Sequence, residues 1–136
     1  MRKNLFISVL FACFVSCAVT QPRKVVYDIK QLAVTWEVIE NNYQGRAQSL
    51  TALTFANNGK QQFPATGWKI YFNFARYITP KVVNGNVQID HVNGDLFCMR
   101  PVPSFQPVAS KENFRVEFVS ADWVVNYTDA PNGLYI

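Results

Sequence analysis

Apolar and polar residues alternate with a period of two in several short stretches of this 136-residue chain. The clearest stretch is 68–74, where Trp68, Ile70, Phe72 and Phe74 alternate with polar or hydroxyl-bearing residues. Successive side chains of a β-strand point to opposite faces, so this pattern predicts a strand with one buried face. Comparable patterns predict six further strands, at 31–40, 49–56, 87–91, 96–100, 114–118 and 123–127.

Asparagine, glycine and proline separate these stretches. Asn57–Lys60 and Asn84–Asn86 have the composition of tight turns. Pro80 closes the third predicted strand region, and three prolines make 101–112 an irregular connection, because proline cannot donate to a sheet ladder. No helical stripe of ten or more residues follows the N-terminal segment. The pattern therefore predicts an all-β fold, an antiparallel, immunoglobulin-like β-sandwich of seven short strands.

The N-terminal segment has the layout of a secretory signal. Arg2 and Lys3 precede an apolar run from Leu5 to Val15, and small residues follow it. We therefore expect the protein to be exported. The run is shorter than the roughly 20 apolar residues that a permanent transmembrane helix needs, and no later stretch is long and apolar enough.

Two interpretations of the end of this signal remain open. Residues 14–17 resemble a bacterial lipobox, which favours Cys17 as a lipidated N-terminus. Residues 16–18 also fit a small-x-small cleavage site, which would release the protein without a lipid. We expect a periplasmic or outer-membrane lipoprotein, otherwise a secreted protein, with membrane attachment only through the lipid. In both cases Cys98 is the only thiol left, so the fold must rest on its core rather than on a disulfide.

These signals divide the chain into four parts. We expect a signal peptide at 1–17, a tether at 18–29, the sandwich at 30–128, and the start of a connection to a downstream domain at 129–136. About 120 residues remain after cleavage, the size of one ordinary domain. With 49% hydrophobic and 15% aromatic residues, the chain can build a substantial core.

Charge and candidate chemistry exclude several functions. Arg2 and Lys3 belong to the signal, and the remaining basic residues are scattered rather than clustered, so we expect no nucleic-acid partner. His91 is the single histidine, and Cys98 lies seven residues later. One histidine and one cysteine do not make a zinc site. We therefore expect neither a metal nor a cofactor.

Glycoside hydrolysis needs two carboxylates on either side of a sugar. The available pairs are Asp90 with Asp95 and Asp122 with Asp129, all close to predicted turns. Aspartates beside turns normally bond their own backbone, so we predict no catalytic residue.

Five segments in order carry a family resemblance: 32–45, 57–60, 67–72, 91–96 and 122–125. Together they resemble the N-terminal domain of bacterial β-N-acetylhexosaminidases of the chitobiase type. The resemblance implies a sandwich similar to cellulose-binding modules, placed ahead of a small α+β domain and a (β/α)₈ barrel. In that family an Asp-Glu pair of the barrel and the acetamido group of the substrate cleave terminal N-acetylhexosamine.

The resemblance implies a non-catalytic, carbohydrate-binding-like module with a downstream catalytic domain as its partner. Its ligand would be chitin, a chito-oligosaccharide or another glycan that contains N-acetylglucosamine. The alternative is a purely structural domain that braces the barrel and binds no sugar.

Exposed aromatic rings are the residues that would contact such a glycan, because sugars stack on flat aromatic faces. Trp36 and Trp68 are in phase with apolar neighbours, which indicates the core. Tyr71 is out of phase with Trp68 and therefore faces outward. Tyr43 and Tyr77 lie in or near turns. Trp123 and Tyr127 share a predicted strand face with Val125, which leaves both the core and the surface open for them. The predicted sugar contacts are thus Tyr43, Tyr71, Tyr77, Trp123 and Tyr127.

Overall fold

A computed structural model describes residues 26–136. The predicted signal peptide, the lipidation of Cys17 and most of the tether lie outside the described residues and stay predictions. Within residues 26–136, no helix is long and apolar enough to cross a membrane.

Eight antiparallel strands form two four-stranded sheets. They are β1 (Leu32–Asn41), β2 (Gln48–Asn57), β3 (Ile70–Asn73), β4 (Ile78–Asn84), β5 (Val87–Asn93), β6 (Leu96–Pro101), β7 (Asn113–Ala121) and β8 (Asn132–Tyr135). The first sheet has the order β1-β2-β7-β4 and the second has the order β5-β6-β3-β8. Short 3-10 turns lie at Ile29–Gln31, Tyr43–Gly45 and Tyr127–Asp129. The predicted all-β, antiparallel class is confirmed.

The two sheets pack face to face around an aromatic core. Phe55 on β2 and Phe118 on β7 face inward from the first sheet, and Phe72 on β3 and Phe97 on β6 face inward from the second. Each is fully buried, and burying a side chain of this size contributes about 1.5–3 kcal/mol. The period-two pattern of the sequence therefore marks the inner faces of a β-sandwich.

The tryptophans predicted to lie in the core differ in burial. Trp68 is 6% exposed and packs edge-on against Phe105, with ring centroids 5.2 Å apart. Its indole N–H donates to the Pro64 carbonyl oxygen at 2.9 Å. Trp36, on edge strand β1, is half-buried and packs against the same core. The prediction is confirmed for Trp68, and Trp36 lies at the margin of the core.

Strand β4 was not expected, because Pro80 indicated the end of a strand region. β4 lies at the edge of the first sheet and pairs with β7 alone among the described strands. An edge strand has one side without ladder partners, so it tolerates a residue that has no N–H. The register between β4 and β7 is also irregular on both sides of Val82.

The strand predicted at 123–127 is wrong. The chain leaves β7 at Asp122, which has a left-handed backbone with φ 63°, and runs as a loop into the 3-10 turn Tyr127–Asp129. In this loop Val124 is buried, whereas Trp123 and Val125 are exposed. The apolar alternation therefore marks outward-facing residues on both sides of one buried anchor, not the inner face of a strand.

The second sheet extends into the segment that we expected to be a connection. Residues 132–135 form β8, which pairs with β3, and Leu134 packs against the core. Because this apolar residue is sheltered by the sandwich, the folded unit continues past residue 128. A downstream domain stays a prediction.

Candidate functional site

Four of the five predicted sugar contacts lie at one end of the sandwich. The strand directions bring together the β1–β2 turn, the β3–β4 connection, the β5–β6 turn and the loop after β7. We call this surface the loop end, formed by residues 42–47, 74–77, 94–95 and 122–131. It carries Tyr43, Tyr77, Trp123 and Tyr127.

The aromatic side chains of the loop end differ in exposure. Trp123 is 52% exposed, Tyr77 54% and Tyr127 96%, whereas Tyr43 is half-buried. Tyr77 packs edge-on against the His91 ring at a centroid distance of 5.8 Å. Tyr127 is therefore the most exposed ring of this end, and Trp123 is an about half-exposed ring on the same loop.

The loop that carries Trp123 is fixed to the sandwich through the backbone of Val124. The Val124 N–H donates to Asn41 Oδ1 at 3.0 Å, and Asn41 Nδ2 donates to the Val124 carbonyl oxygen at 2.9 Å. The Ser49 hydroxyl donates to the Asp122 carbonyl oxygen at 2.7 Å. Because the amide of Asn41 satisfies both polar groups of Val124, its two neighbours are directed outward from a defined position.

Asp129 closes the same loop from its other side. Its Oδ2 accepts from the backbone N–H of Val125 at 3.1 Å, from that of Asn126 at 3.3 Å and from the guanidinium of Arg76 at 3.3 Å. The hydrogen bond from Val125 is the main cause that lowers the pKa of Asp129 below its usual range, and the bonds from Asn126 and Arg76 add to it. The carboxylate is therefore an acceptor that shapes the loop.

The fifth predicted contact, Tyr71, lies on a different surface, the outer face of the second sheet. Its position out of phase with Trp68 is confirmed, since Trp68 is buried and Tyr71 is half-buried on the opposite face. Its cross-strand partners are Cys98 on β6 and Tyr135 on β8, and Cys98 is in turn opposite Asp90 on β5. These four residues form a row across all four strands.

Side chains around this row are tied together. The Tyr71 and Tyr135 rings are stacked, with centroids 5.0 Å apart and an angle of 11° between their planes. Asp90 accepts from Arg100 Nε at 2.9 Å and from Gln88 Nε2 at 2.6 Å. We call these six residues the tyrosine face: Tyr71, Gln88, Asp90, Cys98, Arg100 and Tyr135.

Two pKa shifts reflect these contacts. The hydrogen bond from Arg100 is the main cause that lowers the pKa of the Asp90 carboxyl. The neighbouring Cys98 thiol is the main cause that raises the pKa of the Tyr71 phenol. At neutral pH the face therefore carries an ionised Asp90 carboxylate, bonded by the Arg100 guanidinium, and a protonated Tyr71 phenol.

A groove of about 1240 Å³ begins beside the tyrosine face and runs toward the end of the sandwich opposite the loop end. Tyr71 and Arg100 line it where it meets the face, and Lys69, Trp68 and Pro101 line it further along. The tyrosine face and the groove thus form one continuous surface.

Sequence reasoning did not find Tyr135, because a single tyrosine in a four-residue strand has no recognisable pattern. Its pairing with Tyr71 depends on the register of β8. Among residues 26–136 there is no group of three or more His, Cys, Asp or Glu side chains placed to hold a metal ion. His91 is opposite Phe97 whereas Cys98 is opposite Asp90, so the two residues point to opposite faces of their hairpin.

Fold and surfaces together define an all-β module whose outer surfaces display aromatic rings beside polar side chains. Residues 31–136 match the family model described as "Putative carbohydrate binding domain". The chain belongs to this family of carbohydrate-binding-like domains.

The chain spans only a small part of the length of the first relatives that it matches. A protein of Pinctada maxima described as "Putative beta-hexosaminidase" is 24% identical over 135 residues, which are 85% of this chain and 12% of that protein. The GH20 exo-β-N-acetylglucosaminidase of Vibrio harveyi, solved with N-acetylglucosamine, matches with a TM-score of 0.60 at 23% identity, over 74% of this chain and 15% of that one. An inactive mutant of the same enzyme matches with a TM-score of 0.62 at 24% identity, over 76% and 15%. The structural likeness establishes the fold.

Proposed function

We propose that this chain is the non-catalytic carbohydrate-binding module of an exported β-N-acetylhexosaminidase, and that its loop end contacts chitin or other glycans that contain N-acetylglucosamine. The observation that carries this proposal is the exposure of Trp123 and Tyr127 on a loop that Asn41, Ser49 and Asp129 hold in place. The family match and the name of the Vibrio enzyme support the choice of sugar.

A fixed loop suits this task for a physical reason. Exposed apolar rings are costly in water, and aromatic faces recover this cost by packing on the apolar face of a sugar. Since the hydrogen bonds of Val124 with Asn41 and those that Asp129 accepts are made before any ligand arrives, less conformational entropy is lost on binding. Few rings take part, so we expect weak binding with a millimolar dissociation constant, about −4 kcal/mol.

The cellular setting is part of the proposal. The signal-like residues 1–17 direct export, and Cys17 carries a lipid that places the module at the periplasmic or outer membrane. Catalysis belongs to a downstream (β/α)₈ barrel, so residues 1–136 alone should not hydrolyse a nitrophenyl N-acetylglucosaminide. Turnover above background by the purified chain would contradict this part.

The test of the loop end is a titration with chitotetraose followed by tryptophan fluorescence. Trp123 is 52% exposed, whereas Trp68 is 6% exposed and Trp36 is half-buried on β1, so emission changes caused by a ligand at the loop end report chiefly on Trp123. We expect a shift of the emission to shorter wavelength that is strongly reduced in Tyr127→Ala. Retention on chitin, which does not depend on the fluorophore, should be lost in Trp123→Ala. Val125→Ala is the matched control, because it shortens an exposed, non-aromatic neighbour on the same loop.

Two results would refute the loop-end site. One is unchanged fluorescence, together with no retention on chitin. The other is equal loss of chitin retention in Val125→Ala and Trp123→Ala, which would indicate a general loosening of the loop rather than lost ring contacts.

The exposure of Val125 favours the second candidate function, a brace for the catalytic domain. Val125 is 73% exposed between the two aromatics, and an aliphatic side chain gives little to a sugar but packs well against protein. Val125→Asp in the full-length enzyme separates the functions. A brace predicts lower thermal stability of the barrel with unchanged chitin binding. A sugar site predicts unchanged thermal stability of the barrel with weaker chitin binding.

A further inference from the structure

We propose that the tyrosine face is a second carbohydrate-binding surface, which takes a neutral oligosaccharide lying across the strands of the second sheet. The stacked rings of Tyr71 and Tyr135 provide the apolar platform, and Asp90, Arg100 and Gln88 bond the hydroxyl and acetamido groups. None of these residues belongs to the loop end, so each of the two sites can be tested without the other.

The row of cross-strand partners sets the length of this surface. Neighbouring strands lie about 4.8 Å apart, so the four positions from Asp90 to Tyr135 span about 14 Å. Cys98, between Asp90 and Tyr71, is buried, so the larger side chains on its two sides form the surface of the row. We call this row the track, with polar groups on one side and aromatic rings on the other.

The aromatic side of the track ends at an edge strand. Tyr135 is 54% exposed although one face of its ring is covered by Tyr71. β8 has no neighbour beyond it among the described strands, so the other face of the Tyr135 ring is open at the sheet edge. The stack also restrains both rings, which reduces the entropy lost when a sugar packs on them.

The polar side of the track favours a neutral ligand. Asp90 and Arg100 are paired at 2.9 Å, and their side chains are both partly exposed. Their charges cancel, while the guanidinium has further N–H donors beyond Nε and the carboxylate has lone pairs beyond those it uses. Paired in this way, they can bond hydroxyl and amide groups without favouring a ligand of either charge.

The groove gives the ligand a direction. It shares Tyr71 and Arg100 with the track, and it runs toward the end opposite the loop end. An oligosaccharide longer than the track would therefore continue past Lys69 into the groove rather than toward Trp123.

The decisive experiment follows backbone amide shifts of the ¹⁵N-labelled chain during titration with chitohexaose. We expect shifts in residues 69–73, 88–90, 98–100 and 134–136. In Tyr135→Ala, the affinity obtained from this set of shifts should be about tenfold lower. Tyr135→Phe, which keeps the ring, and Tyr127→Ala, which removes a ring of the loop end, should leave it unchanged.

Folding of each variant is checked from its amide spectrum without ligand. If Tyr135→Ala disturbs β8, Gln88→Ala serves as the second variant, since it removes a surface amide from β5 and should also lower the affinity. Hyaluronan hexasaccharide, which carries carboxylates, is the anionic probe, and we expect it to bind no tighter than chitohexaose.

The outcomes separate this site from the loop end. Shifts confined to 122–129 overturn the tyrosine face and leave the proposed function intact. Shifts confined to the tyrosine face support it and overturn the loop end. Equal affinity of Tyr135→Ala and the unaltered chain, or tighter binding of the anionic probe, overturns the neutral-ligand site as stated.

Discussion

The loop end and the tyrosine face both display aromatic rings, but different interactions hold them. At the loop end, hydrogen bonds that Asn41 and Ser49 donate and that Asp129 accepts fix a segment that belongs to none of the described strands. At the tyrosine face, backbone ladders between four strands set the positions, and the side chains only follow the register. A single polar substitution should therefore release the loop end, whereas the tyrosine face should change only when the sheet does.

Asn41→Ala tests whether the loop end can be released without the tyrosine face, and we expect the largest effect from this variant. The variant loses both hydrogen bonds to Val124, so the free energy of unfolding should fall by about 1–3 kcal/mol. Chemical denaturation measures this loss, and amide exchange should show a larger loss of protection at Val124 than at Phe72, whose core amide reports the global unfolding. Glu40→Gln, the exposed neighbour, is the control and should stay within about 0.5 kcal/mol. Equal loss of protection at Val124 and Phe72 would mean that the two regions are not independent.

Gly133→Ala tests the opposite case, a change that should affect the tyrosine face alone. Gly133 has φ 61°, and an added Cβ would lie 3.0 Å from Asn73 Nδ2, at the irregular register of β8 against β3. The left-handed conformation costs a residue with a Cβ about 1–2 kcal/mol, so we expect a similar loss of stability and a displaced Tyr135. Amide shifts should change along β8 and β3 but not at Trp123.

Gly133→Asn is the matched variant for this change. Asparagine adopts left-handed conformations more readily than alanine, so its loss of stability should be smaller. If asparagine and alanine cost the same, contact with Asn73 rather than backbone conformation limits this position.

The contribution of Asp129 to the stability of the loop end should depend on pH. Its pKa is lowered in the folded state, so it adds stability above the pKa of about 3.9 of an unfolded aspartate, and this contribution is lost as the pH falls further. We expect Asp129→Asn to be less stable than the unaltered chain at pH 7, with the difference shrinking below about pH 4. Thermal melts from pH 3 to pH 7 measure it, and Asp95→Asn, on the β5–β6 turn, is the control. A difference that does not depend on pH would show that the charge of Asp129 is not what holds the loop.

Local patterns predicted the parts of the fold that depend on local physics. The alternation around Trp68 correctly separated the core from the outward Tyr71, because neighbouring side chains of one strand must face opposite ways. The same rule failed at 123–127, since alternation alone cannot distinguish a strand from a loop pinned by one buried residue. The prediction that a strand region ends at Pro80 failed for a related reason. The free-energy cost of proline in a strand depends on whether that strand lies at the edge of its sheet.

The candidate sites show the same limit. The exposed position of Tyr77 could be proposed from the nearby turn, whereas phase left the core and the surface open for Trp123 and Tyr127. The gathering of these residues at one end depends on the order of the strands. Tyr135 could not be found at all, since its role arises from pairing with a residue 64 positions earlier in the chain.

The sequence by itself determined the class of fold, the inward faces of most strands and the family, since these follow from alternation, turn chemistry and recognisable segments. Tertiary structure alone decided which strands are edges, how the loop after β7 is pinned and which side chains share a surface. The physical reason is the distance along the chain over which the interactions act. A side chain's face is set by its immediate neighbours, whereas a binding surface is set by hydrogen-bond ladders that join residues far apart in the chain.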